Sequence, residues 1–111
     1  MSQYFRGDVV LVSLQMQGKG VRKVRPAVVV RSGDRGELLI SPVSSRPSFD
    51  SLSEPLALDD FSEGGLDIFG ESYVITAGLC RVHTWDVIGK KGELRKEAME
   101  RLFPEGPGSR S

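Results

Sequence analysis

The 111-residue sequence contains one cysteine, one histidine and one tryptophan, and its charges balance. The single cysteine, Cys80, excludes an intrachain disulfide framework and any cysteine-rich zinc site. The single histidine, His83, excludes a mechanism in which two histidines exchange protons. Because 15 basic and 15 acidic residues give a formal net charge of zero, any attraction to nucleic acid has to come from a local basic patch.

Long apolar segments are also missing. No run approaches the roughly 18–20 residues that cross a bilayer. The N-terminal residues MSQYFRGD do not resemble a secretory signal, because no apolar stretch follows a basic start. With 39% apolar and 27% charged residues, the composition is typical of a globular chain. We therefore expect a cytoplasmic protein with a single domain over residues 1–103 and a flexible tail over residues 104–111.

Short runs rich in β-branched residues and leucine occupy the first half of the chain. The runs at Asp8–Leu14, Arg25–Arg31 and Glu37–Val43 have short connections, which is typical of an antiparallel meander. Residues 15–24, QMQGKGVRKV, contain two glycines and three basic residues and predict a mobile cationic loop.

The second half has a less regular pattern. Residues 54–58 suggest a short strand, whereas residues 59–70, with three glycines and four acidic residues, predict a solvated turn. Residues 72–88 predict two strands or one strongly bent strand, and residues 89–92, Gly-Lys-Lys-Gly, predict a turn.

One helix is expected, over residues 93–103. Leu94, Ala98 and Leu102 recur every four residues and form one apolar face, and Pro104 ends the helix. The pattern is therefore five or six strands followed by one helix. It predicts a mainly β fold, a small antiparallel barrel with a C-terminal helix on one face.

Three parts of the chain carry a family resemblance. RGDVVLV at residues 6–12 and VRPAVVV at residues 24–30 resemble the N-terminal half of the MazF/PemK toxin family. LISPVSSR at residues 39–46 is similar to that family's third strand, which ends in a hydroxyl-bearing residue at the active site. Residues 88–102 fit the family's final turn and helix, so the resemblance spans almost the whole chain.

The resemblance implies an SH3-like barrel that works as a homodimer. Members of the family are metal-independent endoribonucleases that cut single-stranded RNA at short sequences. In bacteria they are usually the toxin of a type II toxin–antitoxin pair, and an acidic segment of the antitoxin blocks the RNA site. The expected partners are therefore single-stranded RNA, a cognate antitoxin and a second copy of the chain. No cofactor, metal or membrane is expected.

The same resemblance assigns candidate catalytic residues. The functional arginine of the family's Arg-Pro motif corresponds to Arg25, and the hydroxyl residue corresponds to Ser44, with Ser45 as its neighbour. Some members carry an arginine and an aspartate close together on the strand before the last. The corresponding stretch here, VITAGLCR at residues 74–81, contains no aspartate and reaches an arginine only at Arg81. The sequence therefore supports the arrangement of Arg25 and Ser44.

The chemistry of RNA cleavage suits these two residue types. Attack of a 2′-hydroxyl on the adjacent phosphorus leaves a 2′,3′-cyclic phosphate and a 5′-hydroxyl, and it requires proton transfer and stabilisation of phosphoryl charge. A guanidinium offers a planar fork of donors to phosphate oxygens, but its high pKa makes it a poor base. We assign Arg25 to charge stabilisation, with proton donation to the leaving 5′-oxygen as a second candidate role, and Ser44 to the phosphate or the 2′-hydroxyl. The general base is not identified.

Further residues are candidates for contact with RNA. Trp85 suits either stacking on a base or a place in the core or dimer interface. The predicted RNA-binding residues are Lys19, Arg22, Lys23, Ser45, Arg46, Thr76 and Arg81.

Two other functions remain open: a gyrase-poisoning toxin and a non-catalytic SH3-like binding module, neither of which needs an arginine–hydroxyl pair.

Overall fold

The computed structural model describes residues 4–15, 22–44, 53–64, 72–76 and 78–104. This part of the chain contains eight strands and one α-helix, with single-turn 3₁₀ helices at Asp34–Gly36, Leu58–Asp60 and Thr84–Asp86. The strands are β1 (Asp8–Gln15), β2 (Arg22–Ser32), β3 (Glu37–Ser44), β4 (Glu54–Leu56), β5 (Phe61–Gly64), β6 (Ser72–Val74), β7 (Cys80–His83) and β8 (Val87–Leu94), and the helix is α1 (Lys96–Leu102).

The strands form one antiparallel sheet that curls into a half-barrel. Its order is β4-β6-β3-β2-β1-β8-β5, and β7 also pairs with β3. Strands β6 and β7 share one edge of β3, since Val43 pairs with Val74 and Ile40 pairs with Cys80. The predicted fold class, mainly antiparallel β with one C-terminal helix, is confirmed.

Alternate residues of the central strands pack into two apolar clusters. Val9 and Val28 belong to the first cluster, which also includes Met99 and Leu102 of α1. A helix of this length is not stable alone in water, so burial of its apolar face against the sheet has to support it. The second cluster consists of Val10, Val12, Ala27, Val29, Leu38, Ile40 and Val82.

The residues before β1 connect it to distant parts of the chain. The Arg6 guanidinium donates to the carbonyl of Phe103 at 2.6 Å and to that of Val30 at 3.3 Å. Gly7 has a φ of 99°, a left-handed value that favours glycine. Its carbonyl accepts a hydrogen bond from the amide of Leu94 at 2.8 Å. The entry to β1 is therefore attached to β2, to the end of β8 and to the residue after α1.

Asp8 is a buried carboxylate at the start of β1, and its side chain is 3% exposed. It accepts a hydrogen bond from the amide of Phe5 at 2.9 Å, and the Lys90 ammonium lies 3.4 Å from its other oxygen. Desolvation works against the charge of Lys90, but Asp8 and two nearby glutamates outweigh it and raise the pKa of Lys90. These contacts satisfy a charge whose burial would otherwise be costly.

The turn predicted at residues 89–92 is a strand, and so are residues 61–64 of the turn predicted at residues 59–70, so both predictions were wrong over these residues. Residues 65–70 lie outside the described residues. Residues 89–92 belong to β8, where Gly92 pairs with Val9 and Gly89 with Leu11; one register shift lies between these pairs and a second follows Leu11. Glycines are tolerated at β-bulges of this kind. The sequence pattern does not show that residues 89–92 pair with the edge of β1. Likewise, residues 61–64 form β5, because Phe61 is buried and pairs with Leu94.

The remaining boundaries differ by a few residues. The helix begins at Lys96 and not at residue 93, because Leu94 reaches the first cluster as the last residue of β8. Strand β2 begins at Arg22, inside the predicted cationic loop. Residues 16–21 of that loop and residues 105–111 of the predicted tail lie outside the described residues.

One ion pair connects α1 to the chain before β5. Both nitrogens of the Arg101 fork lie 3.0 Å from the two oxygens of Asp60. Asp60 also accepts the amide of Ala57 at 2.9 Å. The hydrogen bond from Arg101 outweighs desolvation and lowers the pKa of Asp60 below its usual 3.8. A carboxyl with a depressed pKa stabilises the fold above its unfolded pKa, and this stability is lost as the pH falls through its folded pKa.

We predict that Asp60→Asn lowers the free energy of unfolding by roughly 1–2 kcal/mol at pH 7, since it replaces a paired carboxylate. Because wild-type Asp60 is protonated in strong acid, the deficit should shrink as the pH falls below about 4. Urea unfolding at pH 7 and pH 3 measures this. Glu100→Gln, which removes a charge from an exposed position of α1, is the matched control. An equal deficit at both pH values would contradict the proposed linkage.

Candidate active site

The two catalytic candidates lie past the same end of the ladder between β2 and β3. Ala27 pairs with Pro42 as the last pair of the ladder between β2 and β3. Arg25 and Ser44 lie two residues beyond this last pair, on β2 and β3 respectively. Because side chains alternate along a strand, Arg25 then shares a face with Ala27, and Ser44 shares that face with Pro42. Across the other edge of β2, Arg25 pairs with Val12.

Arg25 lies where the second cluster meets solvent. Val12 and Ala27, its neighbours across and along the sheet, are completely buried, whereas Arg25 is exposed. Its backbone is part of a paired strand, which limits its freedom, while its guanidinium can reach a ligand in solution. This combination suits a fixed positive charge that meets a phosphate.

Ser44 is half-buried at the last position of β3, and its backbone partner is Tyr73 of β6. Just beyond β6, the amide of Ile75 donates to the carbonyl of Pro42 at 2.8 Å. This bond holds Thr76, the next residue, close to the same end of β3. The structure therefore brings three predicted site residues, Arg25, Ser44 and Thr76, to one end of the central strands.

The Arg22 side chain is held by hydrogen bonds to two other parts of the chain, Ser13 and Asp86. Its guanidinium donates to the hydroxyl of Ser13 at 2.9 Å and to the carbonyl of Ser13 at 2.8 Å. A third bond of 3.0 Å reaches Asp86 in the Thr84–Asp86 turn. Arg22 thus connects β2 to β1 and to the segment before β8. Lys23, the next residue, is exposed on the same strand.

Arg81 lies apart from this end of the sheet. It pairs with Leu39 of β3, and Leu39 pairs on its other side with Arg31 of β2. Leu39 precedes Ser44 by five residues, which corresponds to roughly 17 Å along a strand. Arg31 and Arg81 line a groove of about 170 Å³ together with Glu37. The structure therefore places Arg81 away from Arg25, on a surface that it shares with Arg31, the second basic surface. The sequence pattern did not indicate Arg31 as part of it.

Trp85 does not lie in the core, so the prediction of a core position was wrong, while base stacking and a place in a dimer interface stay predictions. Its side chain is 77% exposed, and its ring stacks on His83 with centroids 3.8 Å apart. Neither the apolar pattern nor the propensity of residues 80–88 distinguishes an exposed tryptophan from a buried one. Three other candidates, Lys19, Ser45 and Arg46, lie outside the described residues.

Side chains that could bind a metal are not grouped in the described ranges. Among those residues, no set of three or more histidine, cysteine, aspartate or glutamate side chains lies close enough to hold an ion. In the same ranges, no helix has both the length and the apolar character needed to cross a membrane.

The family is established by the sequence as a whole. Residues 5–103 match the family described as PemK-like, MazF-like toxin of type II toxin-antitoxin system. Because this match covers most of the chain, the protein belongs to that family, and the resemblance noted in its segments is confirmed. Among curated protein sequences, none matches this chain significantly.

Solved structures share the fold. A MazE–MazF complex from Deinococcus radiodurans is 15% identical, with a TM-score of 0.60, covering 89% of this chain and 87% of that chain. An endoribonuclease in complex with its cognate antitoxin from a mycobacterial species is 11% identical, with a TM-score of 0.58. The match covers 96% of this chain and 93% of that chain. At these identities the likeness shows a common fold. It does not assign site residues in this chain.

Proposed function

We propose that this toxin is a sequence-specific, metal-independent endoribonuclease that cleaves single-stranded RNA in the cytoplasm. The observation that carries the proposal is that the exposed Arg25 and the half-buried Ser44 each lie two residues beyond the Ala27–Pro42 pair, past the same end of the ladder between β2 and β3. Membership of the PemK/MazF-like family supports it, as does a fold shared with an endoribonuclease bound to its antitoxin.

In the proposed reaction, the 2′-oxygen of one ribose attacks the adjacent phosphorus and loses its proton. The bond between phosphorus and the 5′-oxygen of the next nucleotide breaks, and that oxygen gains a proton. Arg25 donates to the non-bridging phosphoryl oxygens, where negative charge grows in the transition state. Ser44 hydrogen-bonds the phosphate or orients the attacking hydroxyl. No general base is assigned.

The partners follow from the same proposal. RNA passes over the exposed end of β2, where Lys23 and Arg25 supply positive charge for phosphates. A cognate antitoxin inhibits the toxin by covering this basic surface with an acidic segment. A second copy of the chain completes a groove long enough for several nucleotides, so the active form is a homodimer.

The two alternative functions give opposite expectations for Arg25. A gyrase-poisoning toxin or a non-catalytic binding module cleaves no RNA, and neither needs an arginine and a hydroxyl side chain past the same end of two neighbouring strands. The geometry at Arg25 and Ser44 favours the nuclease. Substitution of these residues therefore separates the three functions.

We predict that Arg25→Ala lowers the single-turnover rate of RNA cleavage by about 10²–10³-fold, the usual loss for one transition-state donor. RNA binding should weaken far less, because the interaction strengthens only as charge develops. Arg25→Lys should rescue little, since an ammonium cannot reproduce the bidentate fork. Ser44→Ala should cause a smaller loss, and Ser44→Thr should retain activity because it keeps the hydroxyl.

Arg31→Ala is the matched control for the Arg25 variants. Arg31 is another exposed arginine of β2, six residues away in the second basic surface, and its removal should leave the cleavage rate unchanged. Thermal unfolding of each variant verifies the fold. If folded Arg25→Ala cleaves at the wild-type rate, Arg25 is a structural residue and the proposed site fails.

We predict that cleavage proceeds equally in EDTA and in magnesium, because the guanidinium supplies the charge stabilisation that a metal would otherwise provide. The products should carry 2′,3′-cyclic phosphate and 5′-hydroxyl ends, which mass spectrometry of a cleaved oligonucleotide identifies. Activity that disappears in EDTA and returns with magnesium would exclude this mechanism. Products with a 5′-phosphate would do the same.

We predict a homodimer in solution at micromolar concentration. For a chain of 12.2 kDa, light scattering should give about twice the monomer mass, since a two-fold contact uses the same surface on both copies. A stable monomer that still cleaves RNA would show that one barrel holds the substrate alone.

A further inference from the structure

Trp85 presents an aromatic surface to solvent. Its side chain is 77% exposed, the largest exposure among the large apolar side chains of the described residues. One face of the indole lies on the His83 ring, with 3.8 Å between centroids and 2° between planes. With so much of the side chain in water, the opposite face of the indole is open to a planar ligand.

Hydrogen bonds hold the backbone of the turn that carries the stacked pair. The amide of His83 donates to the Asp86 carboxylate at 3.0 Å, which closes the turn that carries Trp85. The other oxygen of Asp86 accepts the Arg22 guanidinium at 3.0 Å, and His83 is itself paired with Glu37. Because the backbone of the turn is held and one indole face already lies on the His83 ring, Trp85 loses little conformational freedom when a ligand stacks on it.

The pair lies close to the candidate active site. Val87, two residues after Trp85, pairs with Val12, and Val12 pairs on its other side with Arg25. Two inter-strand spacings separate the backbones of Val87 and Arg25, which is about 10 Å. The exposed Lys23 also lies on this part of β2. An open aromatic face beside a basic strand is the combination that single-stranded nucleic acid binds.

We propose that Trp85, supported by His83, is a stacking platform for one unpaired nucleobase of the RNA substrate. The inference rests on the proposed function, and it adds a binding site for a base next to the site for the scissile phosphate. Stacking accepts any of the four bases. The platform therefore contributes affinity and position, and the choice of sequence has to come from other contacts.

Trp85 is the only tryptophan in the chain, so intrinsic fluorescence reports directly on this site. The probe is a pool of short 2′-O-methyl RNA strands of mixed sequence, which lack the attacking hydroxyl and stay intact. A strand of equal length with abasic sugars carries the same phosphates without bases. The base-bearing pool should quench the emission of Trp85, whereas the abasic strand should leave it nearly unchanged.

Binding of a dye-labelled copy of the same pool measures the energetic contribution. Trp85→Ala should weaken binding by about 5- to 150-fold, the range for one base–aromatic stack, and Trp85→Phe should retain most of the affinity. The salt dependence of binding should keep its slope, because no phosphate contact is removed. Ile88→Ala, at another exposed apolar position nearby, is the control and should bind like the wild type.

The outcomes separate this inference from the proposed function. If wild-type protein cleaves RNA and folded Trp85→Ala binds the pool equally well, the platform is refuted and the nuclease proposal stands. Equal quenching by the abasic strand would also refute it. If Trp85→Ala changes only the oligomeric mass or antitoxin binding, the surface contacts protein and not RNA. If wild-type protein neither binds nor cleaves RNA, both proposals fail.

Discussion

Strand β1 forms hydrogen bonds along both edges, with β2 on one side and β8 on the other. At Val12 this pairing aligns three strands, so that Arg25 and Val87 flank one buried residue. A slip of one residue in either ladder would turn every side chain of the moved strand to the opposite face. Burial of alternate valines on the two sides of the sheet makes such a slip costly. The position of the candidate active site depends on this register.

The segment before β1 explains part of the family pattern in structural terms. Arg6 binds carbonyls near the ends of β2 and α1, Gly7 adopts a left-handed φ, and Asp8 is a buried carboxylate near Lys90. Each of these residues joins elements that are far apart in the sequence. The Arg-Gly-Asp sequence at the start of the domain therefore stabilises the sheet and has no part in the proposed chemistry.

The charged surface divides into regions with different roles. Arg22 is engaged by Ser13 and Asp86, and Arg81 lies with Arg31 in a separate groove. Arg25 and Lys23 remain exposed on β2. A chain with no net charge can still attract phosphates when a few cations share one surface. In the proposed function, RNA uses the end of β2 for its phosphates and the stacked Trp85 for a base.

Local pattern determined the first three strands and the apolar face of the helix, whereas the two catalytic candidates came from the family resemblance and stay predictions. Runs such as Asp8–Leu14 and the interval between Leu94, Ala98 and Leu102 depend only on neighbouring residues, so they can be read before folding.

Tertiary structure decided the rest. The glycines and lysines of residues 89–92 form a strand because β1 offers a free edge, and a ladder partner is not encoded locally. Tertiary structure also decided the ion pair of Arg22, the separation of Arg81 from Arg25 and the exposure of Trp85. Each depends on which distant backbone lies beside it, and only the folded sheet brings those backbones together.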